Sequence, residues 1–84
     1  MRHFASARFW ALYGALPKEV RSLADKNYEL LKADARHPSL HFKRIGQVWS
    51  ARVGAHHRVL GHDVDGGIQW FWIGTHAEYD KLVG

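Results

Sequence analysis

Ile68-Gln-Trp-Phe-Trp-Ile-Gly-Thr-His-Ala-Glu-Tyr79 is the stretch that decides how the rest of this chain folds. Ile68 to Ile73 is apolar at every position but Gln69, is rich in aromatic and β-branched side chains, and follows the turn signal Asp65-Gly66-Gly67, so it reads as a strand. Period-two alternation puts Ile68, Trp70 and Trp72 on one face and Gln69, Phe71 and Ile73 on the other. Apolar groups on both faces make it a central strand. Gly74 ends the run, and Thr75-His-Ala-Glu78 matches a capping box: the Thr75 hydroxyl bonds the Glu78 amide while the Glu78 carboxylate reaches back. A short helix, about Thr75 to Val83, should follow. His76 and Tyr79 are three apart on one side of its first turns, next to the strand's end, which makes this a candidate place for chemistry.

Upstream of that strand, His57 to Val64 and Gln47 to Val53 pair through the Gly54-Ala55-His56 turn, and Leu40 to Ile45 is a weaker strand before them. Pro38 disfavours helical geometry at His37 and so closes a helical segment. Within that segment Ser6 is an N-cap, with Phe9, Leu12, Tyr13 and Leu16 on one helical face. Pro17 opens a second helix whose apolar face is Val20, Leu23, Ala24, Tyr28 and Leu31. The expected fold is therefore α+β: an N-terminal helical hairpin packed on a three- to four-stranded antiparallel sheet, with a short C-terminal helix.

The 84 residues form one expected domain, 1–84, because two cores would leave neither half enough buried surface. No apolar run reaches transmembrane length and Met1-Arg-His-Phe lacks the apolar core of a signal peptide, so the cytoplasm is the expected compartment, with no membrane partner. Zero cysteines exclude disulfides and thiolate zinc sites. A net charge of +4, with seven histidines besides, favours an anionic partner such as nucleic acid or an acidic protein segment.

The cations also have a pattern. Trp49, Ala51 and Val53 alternate with Val48, Ser50 and Arg52. If the first set faces the helices, Arg52 points to the uncovered side and the short hairpin brings Arg58 near it. Two arginines on one open sheet face hold a phosphate through forked donors, and Lys43 and Arg44 extend the patch. The alternative is a solvated face of an edge hairpin. His56, His57 and His62 complete no recognisable ligand set, since neighbours on a strand point to opposite faces, so neither metal nor cofactor is expected. His76 is an acid–base candidate at neutral pH, its alternative being an exposed residue at a helix start.

Val48-Trp-Ser-Ala-Arg-Val-Gly-Ala-His-His-Arg-Val-Leu60 resembles the second and third strands of the RelE/ParE toxin superfamily, and is similar to the Trp-Ser-x-Arg, His-Arg-Leu pattern of YoeB-type members. The helical hairpin, His37-Pro-Ser-Leu-His-Phe-Lys43 and Ile73-Gly-Thr-His-Ala-Glu-Tyr79 fit the same scheme. The resemblance implies the toxin of a type II toxin–antitoxin pair. RelE- and YoeB-like members enter the ribosomal A site and cut mRNA, whereas ParE-like members poison DNA gyrase. By position, Arg58 matches the family's third-strand phosphate-binding arginine, Tyr79 its C-terminal tyrosine and Arg52 a basic second-strand residue. His76 lies where other members place a catalytic basic residue.

The implied site is thus Arg58, His76 and Tyr79 for catalysis, with Arg52, Lys43 and Arg44 binding RNA phosphate. Two positions depart from the family: Ser50 stands where RelE-type members carry a lysine, and Pro38 falls near the YoeB-type catalytic glutamate. What the resemblance implies first is a metal-independent, ribosome-dependent mRNA endonuclease that inhibits translation, its partners being the ribosome, mRNA and a cognate antitoxin. The alternatives are a gyrase poison and a non-toxic binding module of the same fold.

Overall fold

Ser6 separates the chain's first extended segment from its first helix. In the computed structural model, which describes residues 2–83, strand β1 (Arg2–Ala5) precedes it. The Ser6 side chain then accepts the Phe9 amide at 3.2 Å and caps α1 (Ala7–Gly14). After the break at Pro17, α2 (Lys18–Ala33) begins with the Val20 and Arg21 amides bonded to the Pro17 carbonyl. A 3₁₀ turn at Pro38–Leu40 leads into β2 (Lys43–Ile45), β3 (Val48–Val53), β4 (His57–Val64) and β5 (Gly67–Thr75). Helix α3 (His76–Val83) follows directly. Among the described residues no helix is long and apolar enough to cross a membrane.

The α+β class and the antiparallel meander agree with the sequence, but the sheet differs from it in two respects. It has five strands in the order β1-β5-β4-β3-β2, and it is mixed, because β1 runs parallel to β5. The helical hairpin therefore does not lead the fold. Four residues, Arg2-His-Phe-Ala5, carry too little periodicity to announce a strand; pairing with β5 makes them one, from Arg2 opposite Gly67 to Ala5 opposite Trp70. Gly67 permits the approach, since a side-chain carbon there would run into the Arg2 backbone.

The faces of β5 also depart from simple alternation. Leu60 pairs with Trp72 while the next residue, Gly61, pairs with Trp70, so Phe71 is an extra residue in β5. This bulge reverses the facing of everything beyond it. Trp70 packs with Leu31, Leu40, Ala51 and Ile68 beneath α1 and α2, whereas Trp72 packs with Leu60 and Tyr79 beneath α3. Trp70 and Trp72 were expected on one face; they lie on opposite ones. Gly61 has no room for a side chain because Ile68 and Trp70 occupy that space. The sheet is thus covered on both sides, with α3 packed mainly over β4 and β5 and touching β3 through Tyr79 and Ser50.

Candidate functional site

The register of the meander builds a row of cations on the face that α3 half covers. Arg52 of β3 sits directly opposite Arg58 of β4, and Arg58 opposite Gly74 of β5. One step along, Lys43, Ser50, Leu60 and Trp72 form the neighbouring row on the same face. Opposed residues in such a pair have Cβ atoms about 5 Å apart. The backbone therefore brings Arg52 and Arg58 together at their bases.

Their side chains take different partners. Arg58 lies under α3, only 9% exposed, with its guanidinium carbon 5.2 Å from the Tyr79 ring centroid. Its Nε and Nη1 are buried and have no hydrogen-bond partner, and no carboxylate lies within ion-pair distance among the described residues. Stacking on an aromatic ring returns about 0.5–2 kcal/mol. Removing a charge from water costs several kcal/mol even after relaxation. The ring alone does not offset the burial. Arg52 is half-buried and reaches the other way, its Nη1 3.3 Å from His41 Nε2, while its carbonyl accepts from Asn27 Nδ2 at 3.3 Å.

Tyr79 is buried, and its hydroxyl accepts from Ser50 Oγ at 3.2 Å; Ser50 is itself wholly enclosed. Only the face that Tyr79 turns to Arg58 bears on the site. His76 begins α3, its amide donating to the His56 carbonyl at 2.7 Å. The His76 ring is 5.9 Å from that of Tyr79, and its Nδ1 is 3.1 Å from Asp80 Oδ2, so a carboxylate orients the imidazole. Tyr79 thus neighbours both Arg58 and His76. The capping box that starts α3 is present: the Thr75 amide donates to Glu78 Oε1 at 2.9 Å and the Glu78 amide to Thr75 Oγ1 at 3.1 Å. The Thr75 amide, then its hydroxyl, hold the Glu78 carboxyl below its ordinary range.

Lys43 is exposed on the Arg52 face. Arg44, expected beside it in the patch, is on the other face. Its Nη2 pairs with Asp63 Oδ2 at 2.6 Å and its guanidinium lies 5.2 Å from the Trp49 ring. Neighbours on a strand point oppositely, so Lys43 and Arg44 were never able to share one patch. Asp63 is held below its ordinary range by the Trp49 N–H and then by Arg44. His62 bonds the Gln69 side chain at 3.1 Å, and among the described residues no three His, Cys, Asp or Glu side chains converge as a metal site would need. Sequence reasoning missed two residues here. Asp80, four beyond His76 on a helix, was visible in the spacing. His41 was not, because its place depends on a left-handed backbone at φ 45°.

A family model described as the ParE-like toxin domain matches residues 18–81, from α2 into α3, and so includes Arg52, Arg58, His76 and Tyr79. Neither a curated protein nor a solved structure matches the chain significantly.

Proposed function

The chain belongs to the ParE-like toxin domain family, within the RelE/ParE superfamily of toxins, and from that premise we propose that it cleaves mRNA on the ribosome as the toxin of a type II toxin–antitoxin pair. The observation that carries the ribonuclease reading is Arg58: a buried cation with two unpartnered nitrogens and no counter-carboxylate among the described residues, directly opposite a second arginine. A phosphodiester supplies what that group lacks. Arg58 binds the scissile phosphate, Arg52 swings from His41 onto the same anion, and Lys43 engages the neighbouring phosphate. Charge grows on the phosphorus oxygens in the transition state, so fixed guanidinium groups stabilise it more than the ground state.

Attack by the 2′-hydroxyl restricts the substrate to RNA. His76, held by Asp80, protonates the departing 5′ oxygen, and Tyr79 acts by supporting Arg58 rather than by exchanging protons. No metal or cofactor enters this scheme. The domain is taken as one unit over 1–84, acting in the cytoplasm where ribosomes are. Its antitoxin lays acidic residues on the Lys43–Arg52–Arg58 side and so withholds the anion site.

Primer extension on mRNA from expressing cells tests the proposal. New 5′ ends inside translated regions are expected with the wild-type chain and none with Arg58→Met; their absence from wild-type cells that stop growing rejects it. A gyrase poison is the second reading, favoured by the apolar groups that α1, α2 and β1 leave exposed: Trp10 at 57%, with Phe4, Leu23 and Tyr28. Loss of supercoiling by purified gyrase, unaffected by Arg58→Met, would select it.

A further inference from the structure

We propose that His41 is the proton acceptor of this site, an inference that rests on the ribonuclease reading. His41 has φ 45° and ψ 41°, and among the described residues it is the only non-glycine with positive φ. A 3₁₀ turn sets that backbone: the His41 amide bonds the Pro38 carbonyl at 3.3 Å, and Leu40, 1% exposed, anchors the turn in the core. Glycine is the usual residue at a left-handed position, and Asn, Asp and His are the side chains found there most often after it. The turn therefore admits an imidazole without itself giving a reason for one.

The neighbouring row gives one. Lys43 pairs with Ser50, so two residues farther along both strands His41 falls beside Arg52. Its Nε2 is 3.3 Å from Arg52 Nη1. A guanidinium can only donate, so Nε2 presents its lone pair and the ring proton sits on Nδ1. The imidazole is exposed to an incoming strand. Among the described residues the other groups weighed for this role fit it less well: Ser50 is enclosed and donates to Tyr79, Pro38 has nothing to ionise, and His76, its Nδ1 held by Asp80, is assigned the opposite role of proton donor.

When Arg52 turns to the phosphate, its contact with His41 opens and leaves the Nε2 lone pair free beside the bound strand. His41 takes the 2′-hydroxyl proton, the 2′ oxygen bonds to phosphorus, the bond from phosphorus to the 5′ oxygen breaks, and His76 gives that oxygen its proton. The products are a 2′,3′-cyclic phosphate and a 5′-hydroxyl. Solvent returns both histidines to their starting forms.

The test uses purified ribosomes carrying a defined mRNA, with His41→Gly as the variant because glycine keeps the turn. A loss of about 100-fold or more in cleavage rate is expected, with ribosome binding retained and added imidazole restoring part of the rate. His41→Asn, which also tolerates this backbone, repeats the measurement should His41→Gly unfold. Cleavage by the variant within about threefold of wild type overturns the assignment and leaves the ribonuclease reading standing. So does a slow variant that imidazole fails to rescue, which would make His41 a support for Arg52 alone. A wild-type chain that leaves the mRNA intact overturns both.

Discussion

The two faces of the sheet are built on different terms. Beneath α1 and α2, Trp70, Ile68, Ala51, Leu40 and Leu31 form an apolar cluster, and the one polar atom Trp70 brings with it, its indole N–H, is donated to His3 Nδ1 at 3.1 Å. Beneath α3, Leu60, Trp72 and Tyr79 share their space with Ser50 and Arg58, and two nitrogens of Arg58 go without a partner among the described residues. Buried polar groups are nearly always paired in native proteins. Among the described residues, one face is satisfied by its own hydrogen bonds and the other leaves part of a buried guanidinium without a partner. The difference sets an apolar, hydrogen-bond-satisfied layer on the side of the helical pair against a layer on the α3 side that holds an unpaired cation.

Trp70→Ala should show the largest effect of any single change. Emptying that site costs about 3–5 kcal/mol, a large part of the roughly 4–13 kcal/mol that a chain of this length commands. Urea unfolding followed by fluorescence measures it, and a midpoint close to wild type would break the contrast between the faces. Arg58→Met is the matching change across the sheet and should have the opposite sign. Replacing an unpaired buried charge with an apolar group of similar length should raise stability by roughly 1–3 kcal/mol. The same variant should lose all growth inhibition. Stability lost instead would mean that the guanidinium already has an anionic partner in the free protein.

How far the sequence revealed this contrast depended on whether each feature was local. Ser6, Thr75 and Glu78 cap helices within three residues of themselves, and both caps were legible. The β3–β4 hairpin has a three-residue turn, so the side-by-side placement of Arg52 and Arg58 followed from alternation. β1 was not legible, because its pairing partner lies more than sixty residues away, Arg2 against Gly67. Nor was the bulge at Phe71, since an unbroken apolar run looks the same whether or not it slips by one residue. That slip turns Trp72 toward α3 and gives Tyr79 an apolar surface to pack on, which in turn covers Arg58. The burial that makes Arg58 interesting thus arises from a register shift on another strand.

The smallest expected effect is a difference in how the faces respond to acid. His3 is held below its ordinary value of 6.5, first by burial, then by the N-terminal positive charge and that of Lys32 on α2, while its neutral ring accepts from Trp70 and meets the edge of Tyr28. A histidine whose folded pKa is lowered is protonated more readily in the unfolded chain. Stability from this group therefore begins to fall as pH drops below about 6.5, and stops falling once the folded value is passed. On the α3 face Glu78 is also lowered, from 4.5, but as a carboxyl it stabilises above its unfolded pKa and loses its contribution only as pH falls from there toward the folded value. Urea midpoints measured between pH 7.5 and 5 should thus decline through His3 while the α3 cap is untouched. His3→Gln, whose side-chain oxygen still accepts an N–H bond, should flatten that part of the profile and leave the drop below pH 4.5 in place. An unchanged slope above pH 5 in His3→Gln would show that the acid response of the helical side comes from elsewhere.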